Sequence, residues 1–315
     1  MFGLVKRLNE VGVVGINRRN ADYTLRYNKR KNYPLVDDKI KTKELAMNAG
    51  LAVPDLYGVL ETQRDIAGVS EILSRHQEYV IKPAQGSGGD GILVLSQGPR
   101  GYYRRASGTL MSEDELGYHL SNALSGSFSL GGQPDHVIIE YRVNFDPVFQ
   151  KIAFQGVPDI RIIVFLGVPV MAMVRLPTRM ADGKANLHQG AIGAGVDIAS
   201  GRTLTAVWRN SIVTEHPDTL NPVSGVMVPH WEKLLDLAAG SYELTDLGYQ
   251  GIDIVLDRDK GPLILELNAR PGLNIQIANK SGLRHRLELV EPHIGELKTK
   301  EERIAFSKAH FAVTE

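Results

Sequence analysis

Apolar and polar residues alternate on both sides of Arg258-Asp259-Lys260-Gly261, from Gly251 to Leu256 and from Pro262 to Leu267. Two period-two runs joined by a short glycine-containing turn predict a β-hairpin. A symmetric loop there sets Asp253 opposite Glu266, and residues directly opposite in an antiparallel ladder point to one face. The other face pairs Ile252 with Leu267, Ile254 with Leu265 and Leu256 with Leu263, an apolar surface fit for a core. Strands are also predicted at Tyr79–Lys82, Val137–Val143 and Ile160–Leu166, with Val168–Leu176 returning from the last by a tight turn. One helix is expected after Asp37-Asp38, whose carboxylates suit the orphan amides of a first turn, stopping at Gly50. A capping-box pattern, Ser112 with Glu115, opens another to about Leu124. Further helices are expected near Val69–Arg75, at Trp231–Asp246 and in the final 25 residues. Hairpins mixed with helices, without regular βαβ alternation, indicate α+β lobes.

A second pattern lies where the strand ending at Lys82 runs into Gly86-Ser87-Gly88-Gly89-Asp90-Gly91. The glycine spacing matches a dinucleotide fingerprint, but that fingerprint must open a helix. Here Ile92–Leu95, apolar and rich in β-formers, follows at once, so the loop joins two strands. Such a unit suits a flap whose bare backbone amides close over phosphate oxygens, with the Lys82 ammonium beside them. A flexible surface hairpin is the plainer alternative. No Gly-x-x-x-x-Gly-Lys-Ser/Thr occurs, which excludes a P-loop.

Asn268 falls two residues past Glu266 and so joins the carboxylates on their side of the hairpin. Two unneutralised carboxylates facing each other destabilise a sheet, and a divalent cation removes the conflict. Oxygen donors of this kind suit Mg²⁺. A half-exposed hairpin with its acids in solvent accounts equally for the pairing alone.

At 315 residues the chain is long enough for two lobes, and 43% hydrophobic residues with zero formal charge describe an ordinary globular protein. Neutral charge gives no general push toward nucleic acid or membrane. The absence of cysteine excludes disulfides, thiolate metal sites and cysteine nucleophiles. The longest apolar run, Ile162–Val174, has 13 residues interrupted by Gly167 and Pro169, short of the ~20 needed to span a bilayer. The N-terminus lacks the long apolar core of a signal peptide, so a cytoplasmic location is expected. Through residue 43 the chain carries 11 Lys/Arg against 4 Asp/Glu, and Asn17–Tyr33 holds few apolar residues to form a core.

In this order, Asp37-Asp38-Lys39-Ile40, Val80-Ile81-Lys82-Pro83 with its flap, Ile138-Ile139-Glu140-Tyr141, Asp159-Ile160-Arg161, Ala185–Gly190 and the Asp253/Glu266/Asn268 hairpin resemble the ATP-grasp superfamily, closest to RimK-type α-L-glutamate ligases. The resemblance runs from about Asp37 to Ile277. It implies an α+β ATP-grasp fold of two lobes clasping ATP: a basic N-terminal segment (1–36) in place of a full preceding domain, a central lobe with the flap (37–140), a C-terminal lobe with the metal site (141–290) and a tail (291–315). Lys39, Lys82 and the flap residues Gly86, Ser87, Gly88 and Gly89 would contact ATP phosphates. Glu140 and Tyr141 would receive adenine, largely through backbone groups. Arg161 and Arg175 would face the γ-phosphate or the acyl phosphate, and Arg270 the transferring group. Asn186 and His188 would lie in a phosphate and substrate loop. Asp253, Glu266 and Asn268 would bind two Mg²⁺ ions, with Mn²⁺ as a substitute.

The implied activity is an ATP-dependent carboxylate–amine ligase forming an amide through an acyl phosphate, adding glutamate or another amino acid to a peptide, protein or small molecule. A small-molecule kinase and a non-catalytic ATP-binding regulator are the alternatives. The partners implied are ATP, a carboxylate substrate and an amine acceptor, without nucleic acid or membrane insertion. The reduced N-terminal segment adds contacts within a homo-oligomer to these expectations.

Overall fold

The computed structural model describes residues 2–86 and 89–313, and the chain divides into two units. One comprises residues 38–44 and 53–143, the other residues 1–37, 45–52 and 144–315.

The smaller unit is built on an antiparallel sheet of β1 (Leu56–Leu60), β2 (Glu78–Pro83), β3 (Leu93–Gln97), β4 (Tyr103–Arg105), β5 (Leu110–Met111) and β6 (Val137–Tyr141), ordered β1-β6-β2-β3-β4-β5. Alternation decides its two faces. Tyr79, Ile81, Val137 and Ile139 enter one core with Leu116 and Leu120 of the helix Glu113–Leu124. Lys82 and Glu140, of opposite parity, are left on the other face. The capping box forms as expected, with Ser112 Oγ accepting from the Glu115 amide and the Glu115 carboxylate accepting from the Ser112 amide.

The larger unit carries a seven-stranded antiparallel sheet: β7 (Asp159–Phe165), β8 (Val168–Leu176), β9 (Ile192–Val196), β10 (Thr203–Trp208), β11 (Ser211–Val213), β12 (Tyr249–Asp257) and β13 (Gly261–Asn268). Its order is β11-β10-β9-β8-β7-β12-β13. The tight turn from β7 to β8 is Leu166-Gly167, both at positive φ. The helices Trp231–Thr245 and Lys300–Phe311 pack on this sheet.

The hairpin of β12 and β13 pairs Asp253 with Glu266 and Ile252 with Leu267, as alternation requires. Beyond Asp253 the expected register is corrected by a bulge. Ile254 pairs with Ile264 and Leu256 with Pro262, not with Leu265 and Leu263. The three-residue turn, 258–260, is asymmetric, so an extra residue is taken up on β13 at Leu265.

The basic segment is helical, not irregular. It includes Phe2–Glu10 and a continuous stretch from Ile16 to Tyr27 with a π-helical centre. Too few aliphatic residues were available to signal a core, and the segment packs with aromatic rings and amides instead. Tyr23 and Tyr27 lie edge-on to Phe165 at 5.7 and 4.9 Å between ring centroids. The buried Asn28 amide donates to the Tyr249 and Ala269 carbonyls at 2.7 and 3.3 Å, while its oxygen accepts from the Tyr249 amide at 2.8 Å. Gln276 does the same for Val14, accepting from its amide and donating to its carbonyl. The Asn28 amide thus stands in for a strand partner at the ends of β12 and β13, and Gln276 ties down the backbone of Val14 in the same way. Asn28→Ala removes all three bonds without offering water a route in. It is expected to cost about 2 kcal/mol of stability in urea unfolding, and a loss below about 0.5 kcal/mol would show that Asn28 is not a tie.

Candidate active site

In the smaller unit the face opposite the core carries a buried charge triad. Lys82 Nζ lies 2.5 Å from Glu140 Oε1, and Lys43 Nζ lies 2.7 Å from Glu140 Oε2. All three residues are buried. Burial works against the Glu140 charge, but the two lysines outweigh it and hold the carboxyl below its usual range. Burial pulls Lys43 down, with the neighbouring Lys82 adding to the effect and Glu140 opposing it. Lys43 was not visible as a site residue in the sequence, since only the fold brings its helix to β6.

The glycine loop leaves β2 and enters β3 through the ladder Ile81–Leu93 to Glu78–Ser96, so it joins two strands as expected. Its ends are anchored on both sides. Lys39 Nζ donates to the carbonyls of Gly86 and Ala84 at 2.6 and 3.3 Å. Asp135 accepts from the Gln85 amide at 2.9 Å and from Ser129 Oγ at 2.6 Å. At the far end His119 Nε2 lies 3.0 Å from the Gly91 carbonyl and its ring stacks on Phe128. Gly91 adopts φ +75°, and a Cβ there would come within 2.6 Å of Phe128. Gly89 also takes a positive φ, while Ser87 and Gly88 lie outside the described residues. Tyr141 ends β6, its amide donating to the Asp55 carbonyl at 2.9 Å.

In the larger unit one face of the sheet gathers Glu266, Asp253, Arg161, Asp159 and Arg175, because the register sets Asp253 opposite both Glu266 and Arg161, and Asp159 opposite Arg175. Arg161 grips Asp253 with two N–H groups, at 2.7 and 2.5 Å. Arg175 bridges both acids through Nη2, 2.6 Å from Asp159 and 2.7 Å from Asp253, with Nε also on Asp159. Asn268 Nδ2 adds a 3.3 Å bond to Asp253. Burial opposes the Asp253 charge, but Arg161 and Arg175 prevail and hold its carboxyl low. Asp159, pushed up to about 6 by burial and by Asp253 against the pull of Arg175, is the weaker acid. Burial acts against Arg175 as well, yet the two acids raise it above an ordinary guanidinium.

Both Asp253 oxygens accept from arginine, Oδ1 from one N–H and Oδ2 from two, so a metal there would share Asp253 with the guanidinium groups. No group of three or more His, Cys, Asp or Glu able to hold a metal ion occurs among the described residues. Glu266 is half-buried and its carboxylate has no partner among the described residues. With the Asn268 side-chain oxygen, two residues on along the same strand, it would offer two oxygen donors, a set compatible with Mg²⁺ because that ion keeps waters and shares phosphate oxygens. Arg270 stands apart from this group. It is exposed and lies over the Tyr33 ring at 5.1 Å, while Arg19 holds its carbonyl.

Asn186 accepts from the His188 amide and caps the short turn Leu187–Gln189. His188 is exposed and lines a cavity of about 560 Å³ with Met180, Leu187, Val207, Arg209, Asn210 and Asn274. The loop carrying these residues is clamped. Thr178 Oγ1 and Trp208 Nε1 both donate to the Gly190 carbonyl, and Arg179 donates its amide to Asp218. Behind the clamp sits the fully buried His216, whose Nε2 lies 3.0 Å from the Pro177 carbonyl. Its Nδ1 accepts from the Asp218 and Thr219 amides, which fixes the Nε2–H tautomer.

The chain belongs to the sugar-transfer associated ATP-grasp family, whose model matches residues 18–292. No curated protein matches it. Among solved structures it is similar to the ATP-grasp ligase PsnB complexed with minimal precursor, at 16% identity over 89% of this chain and 62% of that one, TM-score 0.44. It is also similar to VanG D-Ala:D-Ser ligase from Enterococcus faecalis, at 13% over 84% and 63%, TM-score 0.48. A third is D-alanine–D-alanine ligase from Bacillus anthracis complexed with ATP, at 14% over 88% and 66%, TM-score 0.43. The chain spans less than two thirds of the length of the PsnB and VanG structures.

Burial lowers the His216 pKa from 6.5, and protonating Nδ1 would turn an acceptor of two amides into a donor facing them. A depressed folded value means that the unfolded chain binds the proton first as pH falls. Stability tied to His216 is thus complete above about pH 6.5 and fades below it. NMR of the ring is expected to show the Nε2–H tautomer and a midpoint under 6.5, with the Tm falling less between pH 7.5 and 5 in His216→Asn than in the native chain. A normal midpoint would contradict this.

Proposed function

We propose that the chain is an ATP-dependent carboxylate–amine ligase. The observation that carries the reading is the sheet face where Asp253 and Glu266 oppose each other beside Arg161 and Arg175, in a chain of the ATP-grasp family. A carboxylate oxygen of the acid attacks the γ-phosphorus of ATP, the bond to the β,γ-bridging oxygen breaks, and ADP leaves. The amine nitrogen then attacks the acyl carbon and loses a proton. The carbon–oxygen bond to phosphate breaks, leaving an amide and inorganic phosphate.

Phosphoryl transfer needs positioning and charge neutralisation more than a protein nucleophile, consistent with a chain lacking cysteine. On the smaller unit Lys39, Lys82 and the amides of Gly86, Ser87, Gly88 and Gly89 hold phosphate oxygens, and the backbone of Glu140 and Tyr141 receives adenine. The loop from Gly86 to Gly91 excludes water, which would otherwise hydrolyse the acyl phosphate. On the larger unit Arg161 and Arg175 spend Nε and Nη2 on aspartates, which leaves Nη1 of each for the transferring group. Glu266 and Asn268 would hold Mg²⁺, and Asp253 orients Arg161 and Arg175. When bound, Mg²⁺ supplies charge neutralisation at the phosphates. Asn186, His188 and Arg270 act on the acid and amine.

The resemblance to RimK-type enzymes makes glutamate one acid to try, and the family's association with sugar transfer makes amino sugars part of the amine panel. Incubation with ATP, Mg²⁺ and hydroxylamine is expected to trap a hydroxamate. ADP release into a stable phosphate ester without hydroxamate would favour a kinase. Glu266→Gln is expected to keep the native Tm and to lower ATP turnover about 100-fold or more. A folded variant that stays active would remove Glu266 from the mechanism.

A further inference from the structure

The cavity beside His188 lies within the larger unit, on the face that carries the arginines. The ladders set Arg175 opposite Gly193 and Gly193 opposite Val207, so all three point to one side of the sheet. Val207 lines the cavity. With strands ~4.8 Å apart, its backbone stands about 10 Å from that of Arg175. Gly193 lets the intervening loop settle on the sheet, since a Cβ there would come within 3.0 Å of Leu187 Cδ2.

The lining has a sign. Arg209 and Asn210 are held outward at φ 49° and 64° in the turn between β10 and β11. The Arg209 guanidinium has no partner among the described residues, and Asn274 Nδ2 ties Asn210 to the cavity wall at 3.4 Å. Among the described residues no Asp or Glu lines the cavity, while Met180, Leu187 and Val207 give it an apolar wall. Such a lining attracts an anion and repels an ammonium group. Its volume suits a small organic molecule.

Resting on the ligase reading, we propose that this cavity binds the acid substrate and not the amine. The ligand class is an organic acid with an apolar body packed on Val207, Leu187 and Met180, its negative charge met by Arg209.

The test is calorimetric titration of the full chain with three probes of one shape and different charge: N-acetyl-leucine, N-acetyl-leucinamide and leucinamide. Binding is expected in the order acid, neutral amide, cation, with the acid favoured over the neutral amide about tenfold. Arg209→Gln is expected to erase that preference, and Arg209→Lys to restore part of it, which a purely structural role of Arg209 would not do. Equal binding of the three probes, an undiminished acid preference in Arg209→Gln, or no binding of any probe overturns the proposal. ATP titration with Mg²⁺ on the same preparations separates the two levels. A native chain that fails to bind ATP brings down the ligase reading and this proposal with it, whereas intact ATP binding without acid preference removes only the cavity's assignment.

Discussion

Taking two aspartates and two arginines out of water side by side costs several kcal/mol per charge, and only close, multiple hydrogen bonds repay it. The larger unit meets that condition through register. Antiparallel pairing of β7 with β8 and β12 brings Asp159 opposite Arg175 and Arg161 opposite Asp253, so the network is dictated by the ladder before any side chain chooses a rotamer. Removing one member would strand a buried charge, at roughly 3–5 kcal/mol. The same network aims the guanidinium groups, because each is fixed by two N–H bonds to a carboxylate. Fold and candidate site therefore depend on one interaction.

The smaller unit solves a related problem with the opposite balance. Glu140 is buried between Lys43 and Lys82, one negative charge between two positive ones. Its face keeps a net positive charge, whereas the network of two aspartates and two arginines is neutral. A lysine in this setting is held by its carboxylate yet not cancelled, which suits the proposed contact with phosphate oxygens. The loop anchors act in the same sense: Lys39, Asp135 and His119 fix the two ends of the glycine loop and leave its centre to the glycines.

Elements with local signals were legible in the sequence. The hairpin, the glycine loop between strands, the Ser112 capping box and the Val168–Leu176 strand each follow from spacing within a few residues. What escaped was set by distant partners. Asp159 and Lys43 become site residues only through pairing with Arg175, Asp253 and Glu140, which no local pattern records. The strand Ile192–Val196 was hidden because Gly193 and Gly195 thin its apolar pattern. Gly195 is needed there, since a Cβ would come within 2.5 Å of the Ala278 carbonyl. The basic segment was hidden for a different reason, its packing being carried by Tyr23, Tyr27 and Asn28 in place of aliphatic residues.

The arrangement along the arginine face separates direction from attraction. Arg161 and Arg175 are matched by Asp253 and Asp159, so they offer aimed N–H donors with little net field. A fully cationic face would hold a trianionic product as firmly as a substrate. A matched one can be strong at the short range of a transferring phosphoryl group and weak beyond it, since opposite charges a few ångströms apart cancel with distance. Arg209, a cation without a partner among the described residues, lies two strands away at the cavity, where the proposed organic anion would meet it without adding to the charge at Asp253. Asp159 is the adjustable member, because its carboxyl is pushed up to about 6. Protonation there would unbalance the network by one charge and loosen one of the two acids on Arg175, with Asp253 still holding its Nη2, so the residue that completes the ladder also sets the charge of the network.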